Sequence, residues 1–221
     1  MKFKAIIFDM DGTIVDTNPI WNKTVVQLAQ RKGITDQEVH KKIQDAICGL
    51  SVTPACKLIK KLSALPDSLE QIMKEKMEIA LSLYAENIDF IAGFPEFHQE
   101  IKQLNIPSAI ATNADDSTFE ITKRTLQLHQ FFGEHMYNIS CVGNVCKPNP
   151  DIYLHAAQKL GFAAADCVAI EDSAPGILAA KRAGMKCIGI NTNKDRSALE
   201  AADHIIEGYA ELTWAKLEEL L

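Results

Sequence analysis

Two aspartates separated by one residue, Asp9-Met10-Asp11, stand where an apolar run gives way to Gly12-Thr13. In an extended or loop segment that spacing points both carboxylates the same way. Like charges held so close are costly unless a cation or a reacting group shares them. A plain Asp-Gly turn after a strand is the simplest alternative, and it assigns the acids nothing beyond chain reversal. A calcium loop fits less well: its twelve-residue pattern wants glycine sixth, whereas Gly12 is fourth from Asp9 and the segment opens on a strand. Three more polar stretches complete a candidate set, namely Thr112-Asn113, Lys147 with Pro148, and Glu171-Asp172-Ser173. Each has a plain reading of its own as a turn, a solvated loop lysine or a helix cap. Together they make a hard, oxygen-rich group with one cation, which suits Mg²⁺ and a phosphate ester. A carboxylate can attack phosphorus in line to give an acyl phosphate, and a second carboxyl can protonate the leaving oxygen and later deprotonate water. Asp9 suits nucleophile and metal ligand. Asp11 suits the acid/base, with a place at the metal, and Glu171 and Asp172 suit the metal. Thr112, Asn113 and Lys147 suit phosphate binding, the lysine offsetting charge as the transition state forms.

These residues need a frame that brings them together. Residues 3–8 are an apolar run rich in Ile and Phe, long enough for a buried strand and too short for a helix. Residues 17–87 read as four helices without a strand. The first starts with Asn18 as cap and Pro19 and ends at Gly33, the second covers about 36–47, the third opens on Thr53-Pro54, and the fourth spans about 67–86. From about residue 88 the pattern alternates. Helix follows Gly93, strand covers 107–112, a capping box Ser117-Thr-Phe-Glu120 opens the next helix, and a weak strand lies near 136–141. Then come helix 150–160, strand 166–170, helix 175–183, strands 186–190 and 204–206, and a closing helix at 212–221. Strands alternating with helices predict an α/β fold, a parallel sheet wrapped by helices on both faces. The expected organisation is a Rossmann-like core from residues 1–16 and 88–221, with an all-α domain of residues 17–87 inserted. In such sheets ligands bind beyond the carboxyl ends of the strands, and the candidate residues fall at those ends.

Asp9-Met-Asp-Gly-Thr13, Thr112, Lys147 and Glu171-Asp172 resemble, in order and spacing, the four motifs of the haloacid dehalogenase superfamily. Lys147-Pro-Asn-Pro-Asp-Ile-Tyr153 and Glu171-Asp-Ser-Ala-Pro-Gly-Ile177 resemble its beta-phosphoglucomutase-like branch. The resemblance is strong over 1–21 and 90–192 and weak over the helical insert. It implies a Rossmann-like core, a movable helical cap that chooses substrates, Mg²⁺ dependence and a phosphoaspartate intermediate. Dehalogenases of the superfamily lack the second aspartate, so Asp11 points away from that activity.

Hydrolysis and mutase chemistry divide on the cap. Mutases similar to this chain carry a histidine after the hinge and an arginine in a Gly-Val-Ser-Arg loop, where this sequence has Trp21 and, in Gly49-Leu50-Ser51-Val52, Val52. Without that arginine a fork suited to gripping a second phosphate is lost. Trp21 itself reads equally as bundle core or pocket wall. The expectation is a Mg²⁺-dependent phosphatase of a small phosphorylated metabolite, such as a sugar phosphate, with a sugar phosphate mutase as the alternative.

Bulk composition excludes other classes. The chain has 221 residues, a net charge of −6 and no basic footprint for nucleic acid. No apolar stretch approaches the roughly eighteen residues of a membrane span, and the first residues lack a signal-peptide pattern. The six cysteines include no Cys-x-x-Cys pair, which fits a reducing, cytoplasmic compartment. A monomer or weak dimer is expected. No Gly-x-x-x-x-Gly-Lys-Ser/Thr, Gly-x-Gly-x-x-Gly or Gly-x-Ser-x-Gly signature is present.

Overall fold

The computed structural model describes residues 2–34, 36, 38–39, 41–43, 52–86 and 88–221. It divides into two compact units, one of Met1–Asp16 with Asp89–Leu221 and one of Thr17–Ile88.

The larger unit is built on a six-stranded sheet in the order β3-β2-β1-β4-β5-β6. The strands are β1 (Ala5–Phe8), β2 (Ser108–Thr112), β3 (Met136–Asn138), β4 (Cys167–Glu171), β5 (Lys186–Ile190) and β6 (His204–Ile206). Every pairing is parallel. β1 is short and wholly buried, as a central parallel strand covered on both faces must be. Its register sets Phe8 beside Ile110 on one side and Ile170 on the other. From β1 the chain adds β2 and β3 on one side and then crosses back to β4 on the other, so the ends of β1 and β4 flank the point where strand order reverses. That is where a doubly wound sheet opens a crevice.

One face of the sheet carries small side chains, Ala5, Ala109, Ala111 and Ala169, against the buried faces of α7 (Asp151–Leu160) and α8 (Ala174–Arg182). Small residues let these helices approach closely. The other face carries bulk. Phe8 meets Phe94 edge-on at 5.6 Å and Phe132 at 5.8 Å, and Phe94 meets Tyr209 at 5.7 Å. Fully burying a phenylalanine of this kind contributes roughly 2–3 kcal/mol. The remaining helices of this unit are α4 (Phe94–Gln103), α5 (Asp116–Thr125), α6 (His129–Phe132) and α9 (Trp214–Leu220).

The smaller unit is helical, with α1 (Asn18–Arg31), α2 (Val52–Ser63) and α3 (Leu69–Glu86), and residues 38–39 and 41–43 are also helical. Ile20, Val25 and Leu28 of α1 and Ile72, Ile79 and Tyr84 of α3 are buried. Trp21 is half-buried, edge-on to Tyr84 at 5.7 Å, with the buried Lys76 ammonium 4.1 Å from its ring centre. Trp21 is therefore an edge residue of the bundle held by a cation–π contact. Gly49, Leu50 and Ser51 lie outside the described residues.

Several helix starts differ from the sequence reading. Asn18 is the first helical residue of α1, not its cap, and Thr17 at the cap makes no side-chain cap bond. Thr53-Pro54 lies inside α2, which already begins at Val52. The cap of α5 is Asp115, whose carboxylate accepts from the N–H groups of Ser117 and Thr118, so the Ser117 box does not form. An aspartate two residues earlier offers a stronger, charged acceptor and starts the helix before Ser117 can cap it. The weak strand ends at Asn138, and a short 3-10 turn covers Ile139–Val142.

Candidate active site

Asp9 leaves the end of β1, and its N–H donates to the Ile170 carbonyl of β4 at 3.0 Å, extending the ladder by one residue. The chain then turns sharply. The N–H groups of Thr13, Ile14 and Val15 all reach the Met10 carbonyl, and Gly12 adopts a positive φ of 84°. A side chain at residue 12 is doubly excluded, since its Cβ would also lie 2.2 Å from Oδ2 of Asp172. The Asp-x-Asp-Gly pattern is thus a packing requirement here as well as a turn.

Asp9, Glu171 and Asp172 each offer a carboxylate oxygen within 4.8 Å of the others. Lys147 Nζ donates to Asp9 Oδ1 and Glu171 Oε1, both at 2.6 Å. All four residues are buried, Glu171 completely. Glu171 is also the most heavily bonded. Its Oε1 accepts from the Tyr153 hydroxyl at 3.0 Å, and its Oε2 accepts from the N–H groups of Asp172 and Ser173 and from the Ser173 hydroxyl. Both oxygens are engaged in holding Lys147 and the loop after β4. Asp172 accepts from Thr13 Oγ1 at 3.3 Å and from Asn193 Nδ2 at 2.6 Å.

The other predicted residues sit nearby. Thr112 ends β2, its hydroxyl 3.5 Å from Asp11 Oδ2 while accepting from the Ala114 N–H at 3.0 Å. Asn113 turns its side-chain oxygen to the Lys147 N–H at 3.0 Å, which ties the β2 loop to the lysine loop. Asp11 stands on the Thr112 side, outside the group of three acids.

The electrostatics follow from burial. Burial raises the Asp9 carboxyl to about 7, against the pull of Lys147 and with help from Glu171. Burial and the charges of Asp9 and Glu171 raise Asp172 well above the ordinary carboxylate range. Burial disfavours the charge on Lys147, but Asp9 and Glu171 outweigh it and hold the ammonium more firmly than usual. Ionised together, three buried acids would outnumber the one lysine, and burial with mutual repulsion instead favours protons on Asp9 and Asp172 unless a cation takes their place. Such an all-oxygen donor set fits a hard divalent cation.

A model of haloacid dehalogenase-like hydrolases matches residues 3–184. The chain belongs to the haloacid dehalogenase-like hydrolase family. It is 28% identical to hexitol phosphatase A of Escherichia coli, over 98% of this chain and 96% of that protein. It is also 28% identical to the phosphorylated carbohydrates phosphatase of Thermotoga maritima, over 90% and 91% of the two chains. A haloacid dehalogenase family hydrolase of Deinococcus radiodurans, crystallised with bound phosphate and sodium, superposes with a TM-score of 0.79 at 26% identity, covering 100% of this chain and 98% of that one.

Five contributors had no role in the sequence reading. Thr13 was part of a motif without a role. Tyr153 lies six residues past Lys147, on the buried face of the first turn of α7. Thr192 and Asn193 follow β5, and the rule that placed the other residues beyond strand ends pointed to them too. Tyr209 reaches the Thr13 carbonyl at 3.2 Å from far along the chain, for which the sequence carries no local signal.

Proposed function

We propose that the protein is a Mg²⁺-dependent phosphatase that hydrolyses a small sugar or sugar-alcohol phosphate through an aspartyl phosphate on Asp9. The convergence of Asp9, Asp172 and Glu171 with Lys147 within hydrogen-bonding range carries this reading. Asp9 and Asp172 would hold the metal, with Asp11 nearby, and Glu171 acts chiefly by fixing Lys147 and the Asp172 loop. The metal supplies charge neutralisation at the phosphoryl oxygens.

Lys147 holds Asp9 Oδ1, so the second oxygen of Asp9 is assigned to attack phosphorus in line. The P–O bond to the sugar breaks as the new O–P bond forms, and Asp11 gives its proton to the departing alkoxide. Asp11 then takes a proton from water, which attacks the aspartyl phosphate and releases inorganic phosphate. Thr112, beside Asp11, and Lys147 bind phosphoryl oxygens. Asn113 serves mainly to hold the Lys147 loop. The helical unit Thr17–Ile88 is assigned to substrate choice. Its relatives named for hexitol and carbohydrate phosphates support a polyol substrate.

The test is phosphate release across a panel of hexitol, hexose and pentose phosphates with and without Mg²⁺. Asp9→Asn and Asp11→Asn should each abolish turnover with the circular dichroism spectrum unchanged. Wild-type rates in either purified variant would overturn the assigned roles, and conversion of a sugar 1-phosphate to the 6-phosphate without phosphate release would favour a mutase instead.

A further inference from the structure

The end of β5 sends a polar turn, Asn191-Thr192-Asn193, to the same rim. The turn is fixed from behind: the Asn191 N–H donates to the Ile206 carbonyl at 2.8 Å, and its Nδ2 donates to Glu207 Oε2 at 2.7 Å. From that base Thr192 Oγ1 donates to the Gly12 carbonyl at 2.6 Å, and Asn193 Nδ2 donates to Asp172 Oδ2 at 2.6 Å. Thr13 Oγ1 holds the other oxygen of Asp172 at 3.3 Å. Both oxygens of one acid are therefore gripped, by side chains from two different strand ends.

The grip has a physical purpose. Asp172 faces Asp9 and Glu171 in a buried site, and their mutual repulsion favours any rotamer that carries Asp172 away. No lysine reaches Asp172 within ion-pair distance among the described residues. Two neutral donors can fix its direction without cancelling the charge a cation needs. A lysine in place of Asn193 would cancel it. Asn193 is only partly buried, so its own packing contributes little to the fold.

We infer that Asn193 is a positioning residue that aims the Asp172 carboxylate at Asp9 and thereby sets divalent-cation affinity. The inference rests on the metal reading given above. Partners that orient a ligating carboxylate typically change metal affinity ten- to hundredfold when removed.

The experiment measures Mn²⁺ binding to the full-length, substrate-free protein by electron paramagnetic resonance, with Mg²⁺ competition. Wild type is compared with Asn193→Leu, which keeps the branched skeleton and removes the donor, and with Asp172→Ala. Asn193→Leu should raise the Mn²⁺ dissociation constant about ten- to hundredfold. Its melting temperature in EDTA should stay within about 2 °C of wild type, as for a surface substitution. The Mg²⁺ concentration for half-maximal phosphate release should rise in parallel, with most of kcat recovered at saturating Mg²⁺. If Asn193→Leu melts early, Asn193→Ala carries the same expected shift. Unchanged Mn²⁺ binding in the Asn193 variants, with binding lost in Asp172→Ala, overturns the role of Asn193 alone. Unchanged binding in all of them overturns the metal site itself.

Discussion

Gly176→Ala separates two opposed expectations for a single methyl group. Gly176 lies in the first turns of α8, and helix propensity alone predicts that alanine stabilises by roughly 0.8–1 kcal/mol. The structure predicts the reverse. A Cβ at residue 176 would lie 1.7 Å from Oε1, 1.9 Å from Cδ and 2.2 Å from Oε2 of Glu171. A carboxylate at the end of a flexible side chain would ordinarily swing aside at little cost. This one is fully buried and bonded to Lys147, Tyr153, Ser173 and two backbone N–H groups. Moving it breaks one of the two buried ion pairs of Lys147 and leaves a buried carboxylate without its donors, a change that costs about 3–5 kcal/mol. Set against the propensity gain, the net loss is roughly 2–4 kcal/mol, or about 5–15 °C in melting temperature for a chain of this size. Thermal and urea unfolding of the purified variant measure it, and phosphate release should fall with it as Lys147 loses its anchor. A variant as stable as wild type, or more so, would show that the Glu171 carboxylate does not occupy the space above Gly176.

Two further outcomes follow from buried titratable groups. The folded chain holds a proton on Asp9 up to about pH 7 against an ordinary 3.8, so its contribution to stability is full below about pH 4 and is lost as pH rises through 7. In EDTA, Asp9→Asn should therefore melt above wild type at pH 8 by an amount on the order of 4 kcal/mol at most, with the gap closing toward pH 4 and shrinking when Mg²⁺ is added; a gap independent of pH would sink the argument. Burial lowers His98 to about 4 against an ordinary 6.5, so the neutral ring's contribution is full above 6.5 and is lost as pH falls toward 4. His98→Phe, in the same aromatic cluster and without the 3.0 Å contact to Ser108 Oγ, should flatten the urea-unfolding stability curve between pH 6.5 and 4, and an unaltered slope there would assign the acid sensitivity elsewhere.

The parallel sheet was legible because its signals are local: short runs of Ile, Val and Ala between helical patterns, each run ending in polar residues. The rim followed from one topological rule, which needs only the strand ends. Helix boundaries were less legible where two candidate caps compete, as with Asp115 and Ser117, because cap strength depends on charge and on the approach of the chain. The jobs of individual side chains were least legible. The sequence assigns Asn113 to phosphate and Glu171 to metal but does not foretell that the Asn113 oxygen also accepts from the Lys147 N–H, or that Glu171, one of the three clustered acids, also accepts from lysine, tyrosine, serine and backbone. Residue type and spacing bring groups to the rim; which lone pair faces which donor depends on contacts up to 196 residues apart, such as Tyr209 to Thr13.

Charge balance orders the events at this rim. Asp9 must be ionised to attack, and whenever Asp9, Glu171 and Asp172 are all ionised against Lys147 alone, the buried group carries more negative charge than positive and repels an approaching phosphate dianion. Protonating Asp9 would relieve the repulsion and, by the same act, remove the nucleophile. A divalent cation held by Asp9 and Asp172 would relieve it while leaving Asp9 ionised, and would lower the Asp9 carboxyl below its metal-free value. On the proposed reading, metal must therefore bind before substrate at neutral pH. Initial rates should show Mg²⁺ lowering the apparent KM for the phosphate ester, and the ester should bind only weakly in EDTA; tight binding of inorganic phosphate to the metal-free protein would contradict that order.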